Sequence, residues 1–472
     1  MKKLFKITSL LGASNLVILF CGVIKNKIIA VLLGTNGMGV ISQVSSFLSL
    51  LTGISTFGVQ QGVIKFIAEE RDEYKLHKIL KISLCFVFSI SVVLFLIVLI
   101  FRTRITELLF SVSGFEYALF STALSAPFVS LGVILLFYFK GRKNINVIFK
   151  VNMISSLSGL LIGIVLIEYF KVIGAVVQIG ITASLIFILS LFYLSREKKK
   201  NKVKLNLDDF RILKGIVKYG SVISLAYIFS ILSLVIVKSL IIRFLGFHSN
   251  GIYQSILIIS GMLISFPQET FWSYYFPTVC ENKDLNFRKK EFENFAYFLI
   301  SVATPLVIIV FLTGRFLIQI FLSNQFLGAS DFLNIRLLGD IFLIFSWPID
   351  AIFLADQRYK YILAFGFIPN LILVVLSFLF VKAFALSGIF YAYLFSMVVF
   401  FIIHLLTFKR KYPKLFYGAK LFKKMGISIT SILLSAILIN GVYSKYFVIP
   451  IILCWIIAAF NSNSLRRRRV AL

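Results

Sequence analysis

A lysine inside a run of apolar residues is a costly placement, and this sequence makes it repeatedly. Lys25 and Lys27 fall in the apolar run 9–33, Lys65 at the end of the run 38–64, and Lys238 and Arg243 in the run 218–243. Cations so placed face a cavity or a partner, or snorkel along their stems to the surface. Lys25 and Lys27 are two residues apart, about 200° around a helix, so they cannot both face one cavity. Lys27 precedes Gly34 by seven residues and Lys238 precedes Gly246 by eight, which sets these two lysines at similar depth. Arg243, near the end of its run, reads as a snorkelling residue. Lys65, at a boundary, suits either the surface or a ligand.

Acids in apolar runs are rarer. Arg336 and Asp340 are four apart, on one face of a helix, and can pair with each other. Asp340 is alternatively a site for coupling to a proton or a metal cation. Asp350 follows Trp347-Pro348, where a proline kink frees backbone groups, and Glu269 lies near Pro267. Both are further candidates for ion coupling. His77, His248 and His404 are isolated in the sequence and give no expectation of catalysis. Cys21, Cys85, Cys280 and Cys454 show no CxxC spacing and read as small apolar residues, so neither a metal site nor a cofactor is expected.

These side chains have to be positioned by helices that cross a membrane. Hydrophobic residues make up 59% of the 472-residue chain and Phe alone occurs 52 times, against roughly 45–50% apolar content in soluble domains. Runs near 9–33, 38–64, 82–101, 117–138, 150–168, 172–194, 218–243, 250–275, 294–313, 333–355, 361–382 and 386–407 are each long enough to span a hydrocarbon layer of ~30 Å. Two shorter runs, 425–442 and 446–460, leave twelve or fourteen spans open. The run after Lys2, Lys3 and Lys6 continues to Leu33, which favours an uncleaved first span over a signal peptide. The fold class is therefore an all-α polytopic membrane protein.

The net charge of +30 comes from 49 basic and 19 acidic residues. Its distribution argues against a nucleic-acid partner. The cations cluster in every second connection: Arg71 to Lys81, Lys140 to Lys143, Arg196 to Lys204, Lys283 to Lys290, Arg358 and Lys360, Lys409 to Lys424, and the tail Arg466 to Arg469. The connections 34–37, 248–250 and 382–387 hold one cation between them. By the positive-inside rule both termini are cytoplasmic, and the basic segments meet anionic phospholipid. The segments 69–82 and 207–218 mix charged and apolar residues at helical spacing, as interfacial helices do.

The chain also echoes itself. Leu33-Gly34, Gly39 and Gln43 correspond to Leu245-Gly246, Gly251 and Gln254. The stretches 105–115 and 317–326, Gly141-Arg142-Lys143 and Gln357-Arg358-Tyr359, and Val172-Ile173-Gly174 and Leu386-Ser387-Gly388 follow in the same order. An even number of spans per copy makes these parallel repeats about an axis along the membrane normal. The expected divisions are a six-helix lobe over 1–200, a second over 201–412 with a leading interfacial helix, and a basic loop, two extra spans and a tail over 413–472.

The stretches 27–34, 37–39 and 58–65, Gly141-Arg142-Lys143 and Leu338-Gly339-Asp340 resemble the O-antigen (lipid-linked oligosaccharide) flippases of the MOP exporter superfamily over about residues 5–410. The resemblance implies a V-shaped two-lobed transporter in the bacterial inner membrane that turns an undecaprenyl-diphosphate-linked oligosaccharide from the cytoplasmic to the periplasmic leaflet. It implies that Lys27 and Lys238, and secondarily Lys25, Lys65 and Arg336, meet the diphosphate. Coupling would be to H+, Na+ or the membrane potential, with a polysaccharide polymerase and a chain-length regulator as partners. The alternative is a polymerase or glycosyltransferase acting on the same lipid-linked sugars. Such enzymes need a sizeable charged outward loop, and the segments 102–117 and 314–332 are short and carry few charges. No GxxxxGK[ST] loop is present for ATP-driven transport.

Overall fold

The computed structural model describes residues 2–196 and 210–416, with side-chain placement from residue 17 onward and excluding residue 266. The expected spans 425–442 and 446–460, the basic tail, residues 197–209 of the basic linker and the side chains of the N-terminal lysines lie outside the described residues. Twelve α-helices follow in order: α1 (Lys2–Leu32), α2 (Gly34–Ser55), α3 (Val59–Glu69), α4 (Glu73–Ile100), α5 (Arg102–Phe110), α6 (Glu116–Gly141), α7 (Ile145–Ser195), α8 (Phe210–Thr270), α9 (Phe276–Glu281), α10 (Leu285–Phe321), α11 (Ser330–Ala355) and α12 (Tyr359–Lys411). A π-helical segment (Phe271–Tyr275) joins α8 to α9, and a 3-10 turn (Asn324–Ala329) leads into α11. Two compact units divide the chain, one of residues 1–251 with 321–323, the other of 252–320 with 324–472.

Eight helical stretches are long and apolar enough to cross a membrane. Three of them are too long for one crossing. α7 has 51 residues, α8 61 and α12 53, so each is roughly 75–90 Å of helix at 1.5 Å per residue. Each is interrupted at one residue: Lys171 (φ 51°, ψ −126°), Gly246 (φ 81°, ψ 176°) and Ala385 (φ 49°, ψ −133°). About the first break the chain doubles back. Gly159 and Gly163, four apart on one side of the helix, take Thr182 and Gln178 against their backbones, and Gln178 Nε2 donates to the Gly159 carbonyl at 3.2 Å. Small residues at this spacing let two membrane helices approach to backbone contact.

The segment expected as an interfacial helix over 69–82 is not separate. α3 ends at Glu69, and α4 starts at Glu73 and runs unbroken into its span. Asp72 caps it, accepting from the Tyr74 N–H at 3.0 Å. Leu76, Ile79 and Leu80 are buried and tie this first part of α4 into the core of the first unit. Likewise, the described part of 207–218 is the start of α8, with no break before the span.

The internal repeat is present in the main chain. In the turn after α6, Arg142, Lys143, Asn144 and Ile145 donate to the carbonyls of Tyr138, Lys140, Phe139 and Lys143. After α11, Asp356, Gln357, Arg358 and Tyr359 donate to those of Ile352, Leu354, Phe353 and Gln357. The two sets are the same pattern 214 residues apart, each with its second residue left-handed (Lys143, φ 54°; Gln357, φ 51°). Ala385 likewise lies 214 residues after Lys171. This corrects the sequence register at one place: Arg142 corresponds to Asp356, not to Arg358. The two arginines look alike but sit two residues out of step, because hydrogen bonding in the turn sets the register.

Candidate functional site

In the first unit the candidate site is a polar seam between α2 and the first half of α8. α2 carries Gly39, Ser42, Gln43 and Ser46 along one side, all buried. The glycines allow close approach: a Cβ on Gly39 would collide with the Phe247 carbonyl, and one on Gly251 with the Thr35 carbonyl. Lys238 enters this seam only 2% exposed, its Nζ donating to Ser46 Oγ at 2.8 Å and to the Ser42 carbonyl at 3.1 Å. Asn250 Nδ2 donates to the Gly39 carbonyl at 2.7 Å and to Ser42 Oγ at 3.1 Å. Gln43 Nε2 reaches Ser239 Oγ at 2.8 Å and the Leu109 carbonyl at 3.2 Å. Thr35 Oγ1 and His248 Nδ1 lie 2.7 Å apart. The seam holds its cation without a counter-ion among these contacts. It also leaves Gln43 Oε1 and Asn250 Oδ1 buried without a partner, an arrangement that costs roughly 1–3 kcal/mol per orphaned atom.

The other candidate cations of this unit are less enclosed. Lys25 and Lys27 are half-buried in α1. Lys65 places Nζ over the Tyr219 ring at 4.3 Å, an aromatic contact for an ammonium. Arg243 is exposed and lines, with Arg104, Glu107, Leu108 and Ser111, an open cavity of about 520 Å³. Lys27 and Lys238 both belong to the first unit.

In the second unit, α11 and α12 build two acidic centres. Asp340 is fully buried, with Oδ1 accepting from Tyr393 Oη at 2.7 Å and Oδ2 from Ser260 Oγ at 2.6 Å. Arg336 Nε lies 3.1 Å from the same Oδ1, one turn away on α11, and its guanidinium carbon sits 3.6 Å from the centre of the Tyr393 ring. The Arg–Asp pair read from the four-residue spacing is therefore formed, with a tyrosine serving both partners. Ten residues further, Asp350 Oδ1 lies 2.7 Å from Nε2 of His404. Glu269 is exposed and accepts from Ser273 Oγ at 3.2 Å, away from either centre's described partners.

Sequence reasoning missed His404, Ser42, Ser46 and Asn250 as site residues. The serines follow Gly39 at three and seven residues, the helical spacing that marks one face. For His404 nothing local gave a signal, since its partner lies 54 residues away and on another helix.

The sequence signature of the family described as polysaccharide biosynthesis protein matches residues 3–331, and the chain belongs to that family. It is similar to the lipid III flippases of Escherichia coli (strain K12) and Shigella flexneri, each 21% identical over 401 residues, covering 83% of this chain and 94% of theirs. Among solved structures, a lipid II flippase in an inward closed conformation matches with a TM-score of 0.74 at 16% identity over 98% of this chain and 99% of that one. An inward-facing multidrug transporter of the MATE family, from the MOP superfamily, matches with a TM-score of 0.65 at 15% identity over 84% of this chain and 94% of that one. The fold is thus that of the MOP-type transporters, and these relatives are flippases and transporters, not enzymes.

Proposed function

We propose that this protein is a flippase for a lipid-linked oligosaccharide carrying a diphosphate, of the O-antigen or a related repeat-unit class. It would act in the bacterial cytoplasmic membrane with its basic connections and both termini on the cytoplasmic side. The observation that supports this reading most is the set of cations inside apolar helices, Lys25, Lys27 and Lys238, in a chain with a MOP-type fold. A diphosphate drawn into a membrane needs positive partners, and a lysine supplies a compact point charge. In this conformation Lys238 is occupied by Ser42 and Ser46. Parting of α2 from α8 would release that ammonium to a ligand, and its return would expel the head group. Lys27 would be the second contact. Outward movement of the anion down an inside-negative potential contributes about 2.3 kcal/mol per charge per 100 mV, so the potential itself can drive the step. The pathway's polymerase and chain-length regulator would take the product on the far side.

The test is reconstitution of the purified protein with a fluorescent polyprenyl-diphosphate-linked oligosaccharide and a membrane-impermeant quencher. Protein-dependent transfer between leaflets supports the reading, as does cytoplasmic-face accumulation of the lipid-linked unit in a deletion strain. Single unpolymerised units on the cell surface of that strain would instead assign the chain to polymerisation. Full transport in the Lys27→Ala/Lys238→Ala double variant would remove the lysines from the mechanism.

A further inference from the structure

His404 and Asp350 are joined in a way that fixes a proton count. Nδ1 of His404 lies 2.9 Å from the Phe400 carbonyl of its own helix. A carbonyl only accepts, so Nδ1 carries hydrogen. Nε2 lies 2.7 Å from Asp350 Oδ1, and a neutral imidazole with hydrogen on Nδ1 has only a lone pair there. A carboxylate also has only lone pairs. The contact therefore requires one more proton, either on Nε2 with the carboxylate ionised or on Oδ1 with the imidazole neutral. Without it, two acceptors would face each other at 2.7 Å.

From this geometry we infer that His404 and Asp350 form a proton-binding site of the transport cycle, loaded while α11 and α12 are held together and emptied as they part. The inference rests on the flippase reading for its link to transport. Release is a simple transfer: the Nε2–H bond breaks, its electron pair stays on nitrogen, and the proton passes to water. The imidazole is left neutral beside a carboxylate. His404 itself is 0% exposed while the Asp350 side chain is 25% exposed, so the exchange path runs through the carboxylate. The imidazole is sandwiched by Phe365 (ring centres 3.7 Å) from the first half of α12 and Phe400 (3.9 Å) from the second. Asp350 from α11 is the charged group against it. Beyond Phe365, Phe353 of α11 touches Tyr361 and Tyr412, and Tyr412 binds Asp356, which pairs with Arg288 of α10. Pro348 removes a backbone donor two residues before Asp350, and its carbonyl is held by Tyr275 Oη at 3.1 Å. The pair thus sits beside a weak point of α11.

The test uses full-length protein in proteoliposomes with the fluorescent lipid-linked oligosaccharide, with and without an imposed pH gradient, alongside a proton titration of the purified protein in detergent. Wild type should flip faster under a gradient, and His404→Gln, whose amide donates permanently to Asp350, should lose that response. Asp350→Asn should lose it too. In the titration, wild type should bind about one proton more than His404→Gln between roughly pH 5 and 8. Identical proton counts in folded, monodisperse wild type and His404→Gln overturn the site. So does a gradient response that survives in both variants. If wild type flips nothing but the one-proton difference persists, the flippase reading fails while the proton site stands.

Discussion

Arg142 grips Glu73 with both arms of its guanidinium, Nη1 to Oε2 at 2.6 Å and Nη2 to Oε1 at 2.9 Å, tying the end of the α6 helix to the first residue of α4. The second unit makes the same tie with the signs exchanged. Arg288, in the first turns of α10, reaches Asp356 just past α11 at 2.8 Å. Because Arg142 and Asp356 occupy the same place in the repeated turn, the pairs are structural counterparts. The second is the more enclosed, with side-chain exposures of 4% and 23% against 25% and 38%.

Enclosure sets the expected cost of breaking each pair. Arg142→Ala should cost about 1 kcal/mol, the scale of a half-exposed but bidentate pair. Arg288→Ala should cost about 2 kcal/mol or more, because it also strips donors from the Val279 and Asn282 carbonyls and leaves Asp356 uncompensated. Thermal unfolding in detergent reads both, and a larger loss at Arg142 would refute the ranking.

Acid and base should each weaken the second unit through Asp356 and Tyr412. Burial pushes Asp356 up, but hydrogen bonds from Tyr412 and Arg288 outweigh it and hold the carboxyl below its usual range. A depressed carboxylate stabilises above its unfolded pKa, about 3.9, and that contribution disappears as pH falls through the folded value. Tyr412 is pushed up to about 12, by burial and then by its bond to Asp356. Its contribution is complete below the unfolded value, about 10, and is lost as pH rises through the folded one. Asp356→Asn should flatten the acid limb of the melting-temperature profile; an unchanged limb would contradict this assignment.

Lys171 and Ala385 hold backbone angles that suit glycine, φ near 50° with ψ near −130°. Such strain costs on the order of 1–3 kcal/mol, partly offset by the extra unfolded-state freedom glycine brings. Lys171→Gly and Ala385→Gly should each raise stability by about 0.5–1 kcal/mol, measured as a higher melting temperature. A decrease in both would show that the surroundings relieve the strain.

Two other glycines should respond in opposite directions to alanine. Gly58 caps α3 at φ 70°, and a Cβ there would come within 2.7 Å of the Val217 carbonyl. Gly58→Ala should cost about 1–3 kcal/mol. Gly261 is helical with nothing within 4 Å of an added Cβ. Gly261→Ala should therefore gain up to about 1 kcal/mol from helix propensity. Thermal melts of the two variants, side by side, decide it.

Hydropathy made the spans legible, because a helix in hydrocarbon must be apolar along its length. It could not mark where α7 and α12 turn back, since Lys171 and Ala385 are not turn-forming residues and the breaks are imposed by packing. The Arg336–Asp340 pair was legible for a related reason, as both partners share one helix and four residues separate them. Pairing of His404 with Asp350, and of Lys238 with Ser42 and Ser46, depends on which helices become neighbours. No local pattern encodes that. The charge-exchanged ion pair was hidden by its own chemistry, because like residues were sought where opposite ones stand.

The turns at 142–145 and 356–359 share every main-chain bond described and none of their residues in register. Ancestry in this chain is therefore written in amide geometry, while the side chains have been free to drift, even to opposite charge. Duplicated halves of this kind will be recognised by the shape of a connection long after their letters have diverged.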